Sequence, residues 1–240
     1  NFYFMRPESY NNGIRVLDGR KESGRILADN MMAKGIKIDG VVPIKESGSP
    51  AGSGFSERSG IPIIDAVGTS HYVGRSFTLS DQTQREDAVS SKHTIIPDHI
   101  KGKSLATIDD STLRGTTSRI INTGLLRGGA SKIHQGAASP PGIDKCTLGV
   151  DLRNKKELPA AEVADRPLAD IEVFMAKRIN STTMTYLTLD QTSQAFGRET
   201  RSMCTACLGG EHPVHGLQEE FPQKASPIVG KPKLAVRISG

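Results

Sequence analysis

Short apolar runs alternate with longer amphipathic stretches along the first 140 or so positions. Residues 15–32 place Val16, Leu17, Ile26, Leu27 and Met31 at helical spacing and predict a helix. Residues 38–44, with Val41, Val42 and Ile44, predict a buried strand that runs into the polar stretch Lys45-Glu-Ser-Gly-Ser-Pro50. Residues 51–58 predict a glycine-rich helix, and residues 61–64 a second short strand. Residues 71–84 are polar and loop-like. Residues 104–108 predict a strand, residues 118–127 a helix with Ile120, Ile121 and Leu125, and residues 131–136 another strand. Strands alternating with helices imply an α/β fold, a mostly parallel sheet covered by helices on both faces.

Beyond residue 151 the pattern weakens, with helical stretches within residues 155–176. The expected organisation is a core over residues 1–150, a helical extension over 151–220 packing on it, and a Pro-, Lys- and Gly-rich tail over 221–240 predicted to lack structure. The 240 residues are 36% hydrophobic and 24% charged, enough for a sizeable core. No apolar run is long enough to span a membrane, and the opening Asn1-Phe-Tyr-Phe-Met5 lacks the order of a signal peptide. With three cysteines, a reduced cytoplasmic setting is expected. A net charge of +5 suits phosphorylated small molecules and leaves no footprint for nucleic acid.

The chemistry concentrates after the strand at 104–108. Two adjacent carboxylates, Asp109 and Asp110, are followed by the small polar loop Ser111, Thr112, Arg114, Gly115, Thr116 and Thr117, and then by a helix. Backbone N–H groups at a helix start attract phosphate oxygens, and paired carboxylates accept sugar hydroxyls or act through a divalent metal. An Asp-rich turn before a capped helix would use similar residues, but the length of the pattern favours a sugar phosphate. In open parallel sheets ligands bind beyond the carboxyl ends of the strands. Lys45–Pro50 falls at such an end too, so both loops are expected to face one pocket. Ser47 and Gly48 would let backbone N–H groups approach a pyrophosphate, although taken alone this stretch favours a plain turn. Tyr72-Val-Gly-Arg75, Arg85 and Lys92 give a long cation-bearing loop able to close over an anion, and a solvated surface loop would look the same.

Together these segments resemble the phosphoribosyltransferase part of the amidophosphoribosyltransferases. The resemblance is carried by Tyr3-Phe-Met-Arg-Pro-Glu-Ser9, Ser47-Gly48, Ser59-Gly-Ile-Pro62, Tyr72-Val-Gly-Arg75-Ser-Phe77, Gln84-Arg-Glu86, Asp109-Asp-Ser111, Arg114-Gly-Thr-Thr-Ser-Arg119, Ser139-Pro-Pro141 and Cys204-Thr-Ala-Cys207, in that order. It implies the type I phosphoribosyltransferase fold and transfer of the phosphoribosyl group of 5-phosphoribosyl 1-pyrophosphate (PRPP) to ammonia. Asp109 and Asp110 would bind the ribose hydroxyls, with Mg²⁺ held through Ser47, Asp109 and Asp110. Ser111, Arg114, Gly115, Thr116 and Thr117 would cradle the 5-phosphate, and Ser47 and Gly48 would serve the pyrophosphate. Tyr72 and Arg75 would belong to the closing loop and act in catalysis. The family's glutaminase domain is not visible here, so free ammonia or a separate glutaminase is implied, and a homo-oligomer is expected.

Lys45-Glu-Ser-Gly48 departs from the usual Pro-Asp-Ser-Gly, and Thr69-Ser-His71 replaces a more basic stretch. Cys146, Cys204 and Cys207 match three of the four cysteines that hold an iron–sulfur cluster in some members. His212 or His215 could complete the set, and the expectation is inherited but empty thiols. A non-catalytic PRPP-binding regulator and an inactive, divergent or designed copy of the fold are the alternatives.

Overall fold

A computed structural model describes residues 5–11, 13–69, 93–146, 148, 152, 154–197 and 203–212. Its centre is a four-stranded parallel sheet in the order β3 (Gly40–Pro43), β6 (Ser104–Asp109), β7 (Lys132–Ala137), β8 (Thr183–Tyr186). The register pairs Pro43 with Ile108, Asp109 with Ala137, and Ala137 with Tyr186. All four strands therefore end on one rim. Side-chain alternation sends Val41, Ala106 and Ile108 to one face and Val42 and Leu105 to the other.

Helices α1 (Val16–Ala33) and α2 (Ser49–Ser59) cover the first face, where Leu27, Met31 and Phe55 are fully buried. Helix α3 (Thr116–Arg127) covers the second through Ile121 and Leu125. A hairpin of β4 (Val67–Thr69) and β5 (His93–Ile95) adds Val67 and Ile95 to that layer. A third cluster packs α4 (Leu168–Arg178) on β8 through Ile171, Met175, Met184 and Tyr186. A small hairpin, β1 (Tyr10–Asn11) and β2 (Ile14–Arg15), precedes α1, and α5 (Leu189–Ala195) follows β8 under a Thr188–Gln191 capping box.

The sheet is thus completed from both sides of residue 150, since β8 is one of its strands. The strand expected at 61–64 is instead an extended segment with a single bridge, Val41 to Ile63. Val41 N donates to Pro62 O and Ile64 N to Val41 O, so the segment covers the outer edge of β3. Pro62 has no N–H to offer a ladder. At the opposite edge, the buried Glu172 of α4 accepts the Tyr186 N–H at 3.0 Å and pairs with Lys34 at 2.7 Å. The expected closing loop beyond Thr69, residues 1–4 and the tail over 221–240 lie outside the described residues.

Candidate functional site

The Lys45–Gly48 turn and the end of β6 meet at the strand rim. Ile44 N donates to Ile108 O at 2.8 Å, and Gly48 N turns back to Ile44 O at 2.8 Å. A Cβ on Gly48 would lie 2.3 Å from Ile108 O and 2.9 Å from the Asp109 Cα, so only glycine fits against β6 here. The turn aims Ser47 at the acidic pair: its Oγ donates to Asp109 Oδ1 at 3.2 Å. Asp109 Oδ1 also accepts the Asp110 N–H at 2.9 Å, and Ser111 Oγ donates to Asp110 Oδ1 at 3.3 Å. Asp109 is buried. Burial first, and then the neighbouring Asp110 carboxylate, hold its carboxyl well above the usual range.

The loop then enters α3 through Gly115, whose φ of +75° is left-handed and suits glycine. The N-cap residue Gly115 brings no side-chain oxygen to the start of α3, and the first-turn N–H groups of a helix suit an anion. The helix is fixed from beneath: Asn122 and Gln135 bond each other and both accept from Thr107 Oγ1, and Asn122 Nδ2 donates to Ile179 O. Tyr186 donates its buried hydroxyl to Thr112 O at 3.3 Å, which tethers the loop to β8. Thr112 itself is buried, and its Oγ1 has no hydrogen-bond partner among the described residues.

A cavity of about 370 Å³ opens beside the helix start, lined by Arg114, Gly115, Thr116, Arg119, Arg178 and Ile179. Arg119 and Arg178 join the residues expected there from the sequence. Arg178 comes from a helix more than 50 positions away, and sequence spacing gives no sign of that approach. Arg114 Nε donates to Glu157 Oε2 at 2.7 Å, so one expected phosphate ligand is engaged by a carboxylate. The structure therefore gathers Ser47, Gly48, Asp109, Asp110 and Ser111 at one rim, with Arg114, Gly115, Thr116 and Thr117 on the adjoining helix start. Tyr72 and Arg75 lie outside the described residues.

The carboxylate pair fits a divalent cation. Asp109 and Asp110 are adjacent and partly or wholly buried, and no described lysine or arginine is bonded to either. Mg²⁺ takes one or two protein carboxylates and completes its shell with water and substrate phosphates, so a larger protein ligand set is not required. The cysteines supply three thiols where a four-cysteine iron–sulfur site takes four. Cys146, Cys204 and Cys207 are free thiols. Burial, then Cys146 and Cys204, push the Cys207 thiol up to about 12. Among the described residues, no group of three or more His, Cys, Asp or Glu side chains is arranged to hold a metal ion. His212 is buried and His215 lies outside the described residues.

No family model matches the chain. Amidophosphoribosyltransferase of Methanocaldococcus jannaschii is 37% identical over 212 residues, which is 88% of this chain and 42% of that protein. The chain belongs to the amidophosphoribosyltransferase family. It spans less than half the length of the curated relatives it matches. Glutamine PRPP amidotransferase from Bacillus subtilis, solved with ADP and GMP, is 30% identical and superposes with a TM-score of 0.75 over 95% of this chain and 48% of its own. A structure of the allosteric regulatory enzyme of purine biosynthesis is 31% identical, with a TM-score of 0.73 over 88% of this chain and 44% of its own. The type I phosphoribosyltransferase fold of the amidophosphoribosyltransferases is thus present here, with its parallel sheet and flanking helices. The family is one of pentosyltransferases. Among the described residues no helix is long and apolar enough to cross a membrane.

Proposed function

We propose that this chain binds PRPP and transfers its phosphoribosyl group to ammonia, giving 5-phosphoribosylamine and pyrophosphate in purine synthesis. The observation that carries this reading is the meeting of Ser47 and Gly48 with Asp109 and Asp110 at the strand rim, next to an uncapped helix start. Asp109 and Asp110 hold the ribose hydroxyls. Ser111, Arg114, Gly115, Thr116 and Thr117 surround the 5-phosphate, with the α3 N–H groups as donors. The Ser47–Gly48 turn brings backbone close to the pyrophosphate. Tyr72 and Arg75 belong to the segment that excludes water over the bound substrate. Asp109, Asp110 and Ser47 would hold Mg²⁺, which would neutralise the polyanion and supply positive charge for the departing pyrophosphate. Ammonia attacks C1 of the ribose as the C1–O bond to pyrophosphate breaks, and the ammonium-like product loses a proton to solvent. No iron–sulfur cluster enters the scheme. The partners of this reading are PRPP, ammonia and further copies of the chain, in the cytoplasm.

Calorimetry with PRPP tests it. Binding is expected with Mg²⁺ and not with a chelator, and Asp109→Asn with Asp110→Asn is expected to abolish it. Unchanged affinity in the double variant would overturn the site. Pyrophosphate release is expected with ammonium as nitrogen source, and PRPP binding without turnover would favour the regulatory reading instead.

A further inference from the structure

Resting on the PRPP reading, we propose that Lys45 is a pyrophosphate ligand of this chain, held in reserve by Asp65. Lys45 stands two residues past the end of β3, at the rim that carries the acidic pair. The register places Pro43 beside Ile108, and the Ile44 N–H donates to Ile108 O, so Ile44 runs alongside Asp109 at the ~4.8 Å spacing of neighbouring strands. The next residue, Lys45, has a flexible four-carbon stem that spans this distance. Two positions further on, Ser47 already reaches the Asp109 carboxylate. A cation at this position therefore lies within reach of the place where the pyrophosphate charge gathers.

In the unliganded chain the ammonium of Lys45 is bonded to Asp65 Oδ1 at 3.0 Å. The pair is weakly held, because the side chains are 37% and 77% exposed and such ion pairs contribute little. Asp65 stands at the end of the extended segment that covers β3, with its backbone oxygen against the His99 ring at 3.2 Å. Glu46 is the other charged neighbour, and it is exposed. Pyrophosphate carries several negative charges over its oxygens where Asp65 carries one, so Lys45 transfers to the anion when it arrives. Asp65 then competes with the ligand for Lys45. The exchange makes no covalent bond.

Titration of the intact chain with inorganic pyrophosphate and Mg²⁺ reads this directly. Lys45→Met is expected to weaken pyrophosphate about tenfold, as loss of a charge-assisted hydrogen bond does. Asp65→Asn is expected to tighten it about threefold, the size of the lost exposed pair. In the Lys45→Met background, Asp65→Asn is expected to change nothing further. Both side chains are solvent-exposed, so the melting temperatures are expected to match the parent chain. Pyrophosphate binding by the parent chain with Lys45→Met within twofold of it would overturn the role of Lys45 alone. A gain from Asp65→Asn that persists without Lys45 would overturn the competition. Failure of the parent chain to bind either PRPP or pyrophosphate would overturn the phosphoribosyl reading, and this inference with it.

Discussion

Gly48→Ala is the most direct probe of how the pyrophosphate turn is seated on the sheet. The added methyl would sit 2.3 Å from Ile108 O, 2.9 Å from the Asp109 Cα and 2.9 Å from Ile44 O. All three neighbours are backbone atoms, so no rotamer change relieves the overlap. Overpacking of this kind costs about 3 kcal/mol at the upper end of its range. The backbone of Gly48 is in the right-handed helical region, so alanine recovers up to ~1 kcal/mol by restricting the unfolded chain. The remaining ~2 kcal/mol corresponds to a fall of ~4–8 °C in melting temperature for a chain of this size. The turn must also shift away from β6, which breaks the Ser47–Asp109 hydrogen bond. PRPP affinity is therefore expected to fall alongside stability. Gly68→Ala is the matched control: its added methyl meets Thr94 at no less than 3.7 Å, ordinary contact, and stability is expected to stay within ~0.5 kcal/mol. Differential scanning calorimetry of the two variants and the parent decides the matter. A Gly48→Ala protein that melts with the parent and binds PRPP equally well would show that the turn is not wedged against Asp109.

Two further outcomes follow from the site. Asp109→Asn is expected to stabilise the unliganded, metal-free chain: the folded state holds the Asp109 proton more tightly than the unfolded state does, so stability falls as pH rises from the ordinary carboxylate range. The melting-temperature gain should be small at about pH 4 and larger at about pH 8, and a gain independent of pH would refute the buried-charge account. Thr112→Val keeps the side-chain shape and removes a buried hydroxyl that has no partner among the described residues, so a rise of ~1–3 kcal/mol in unfolding free energy is expected by chemical denaturation; a loss of stability would mean that the hydroxyl is satisfied.

The first helix and the strands of the sheet core were legible because each carries its own periodic signal. Val16, Leu27 and Met31 mark one stripe of α1, and Leu105 and Ile108 are apolar on both faces of a doubly covered strand. The acidic pair and the Gly115–Thr117 turn were legible for a different reason: their residue types are tied to a backbone task. What sequence spacing hid depends on contacts between distant segments. The β4–β5 hairpin joins two three-residue strands separated by a long polar stretch, and neither strand has a pattern of its own. β8 joins the sheet only through β7, and Arg178 reaches the α3 start only because α4 packs on β8. At 61–64 the apolar run has the composition of a strand, but with Pro62 in it the segment offers carbonyls and few donors.

The buried Glu172 has a consequence for how copies of this protein can meet. An open edge strand invites a second chain to continue the sheet. Glu172 takes up the Tyr186 N–H that such a chain would need and sets a negative charge, steadied by Lys34, in the path of an incoming carbonyl. The 61–64 segment closes the other end at Val41. Growth by strand addition is thereby resisted at both ends, and association is directed to helices and loops. Exchanging Glu172 for a small apolar residue would then affect solubility at high concentration sooner than it affects the phosphate site.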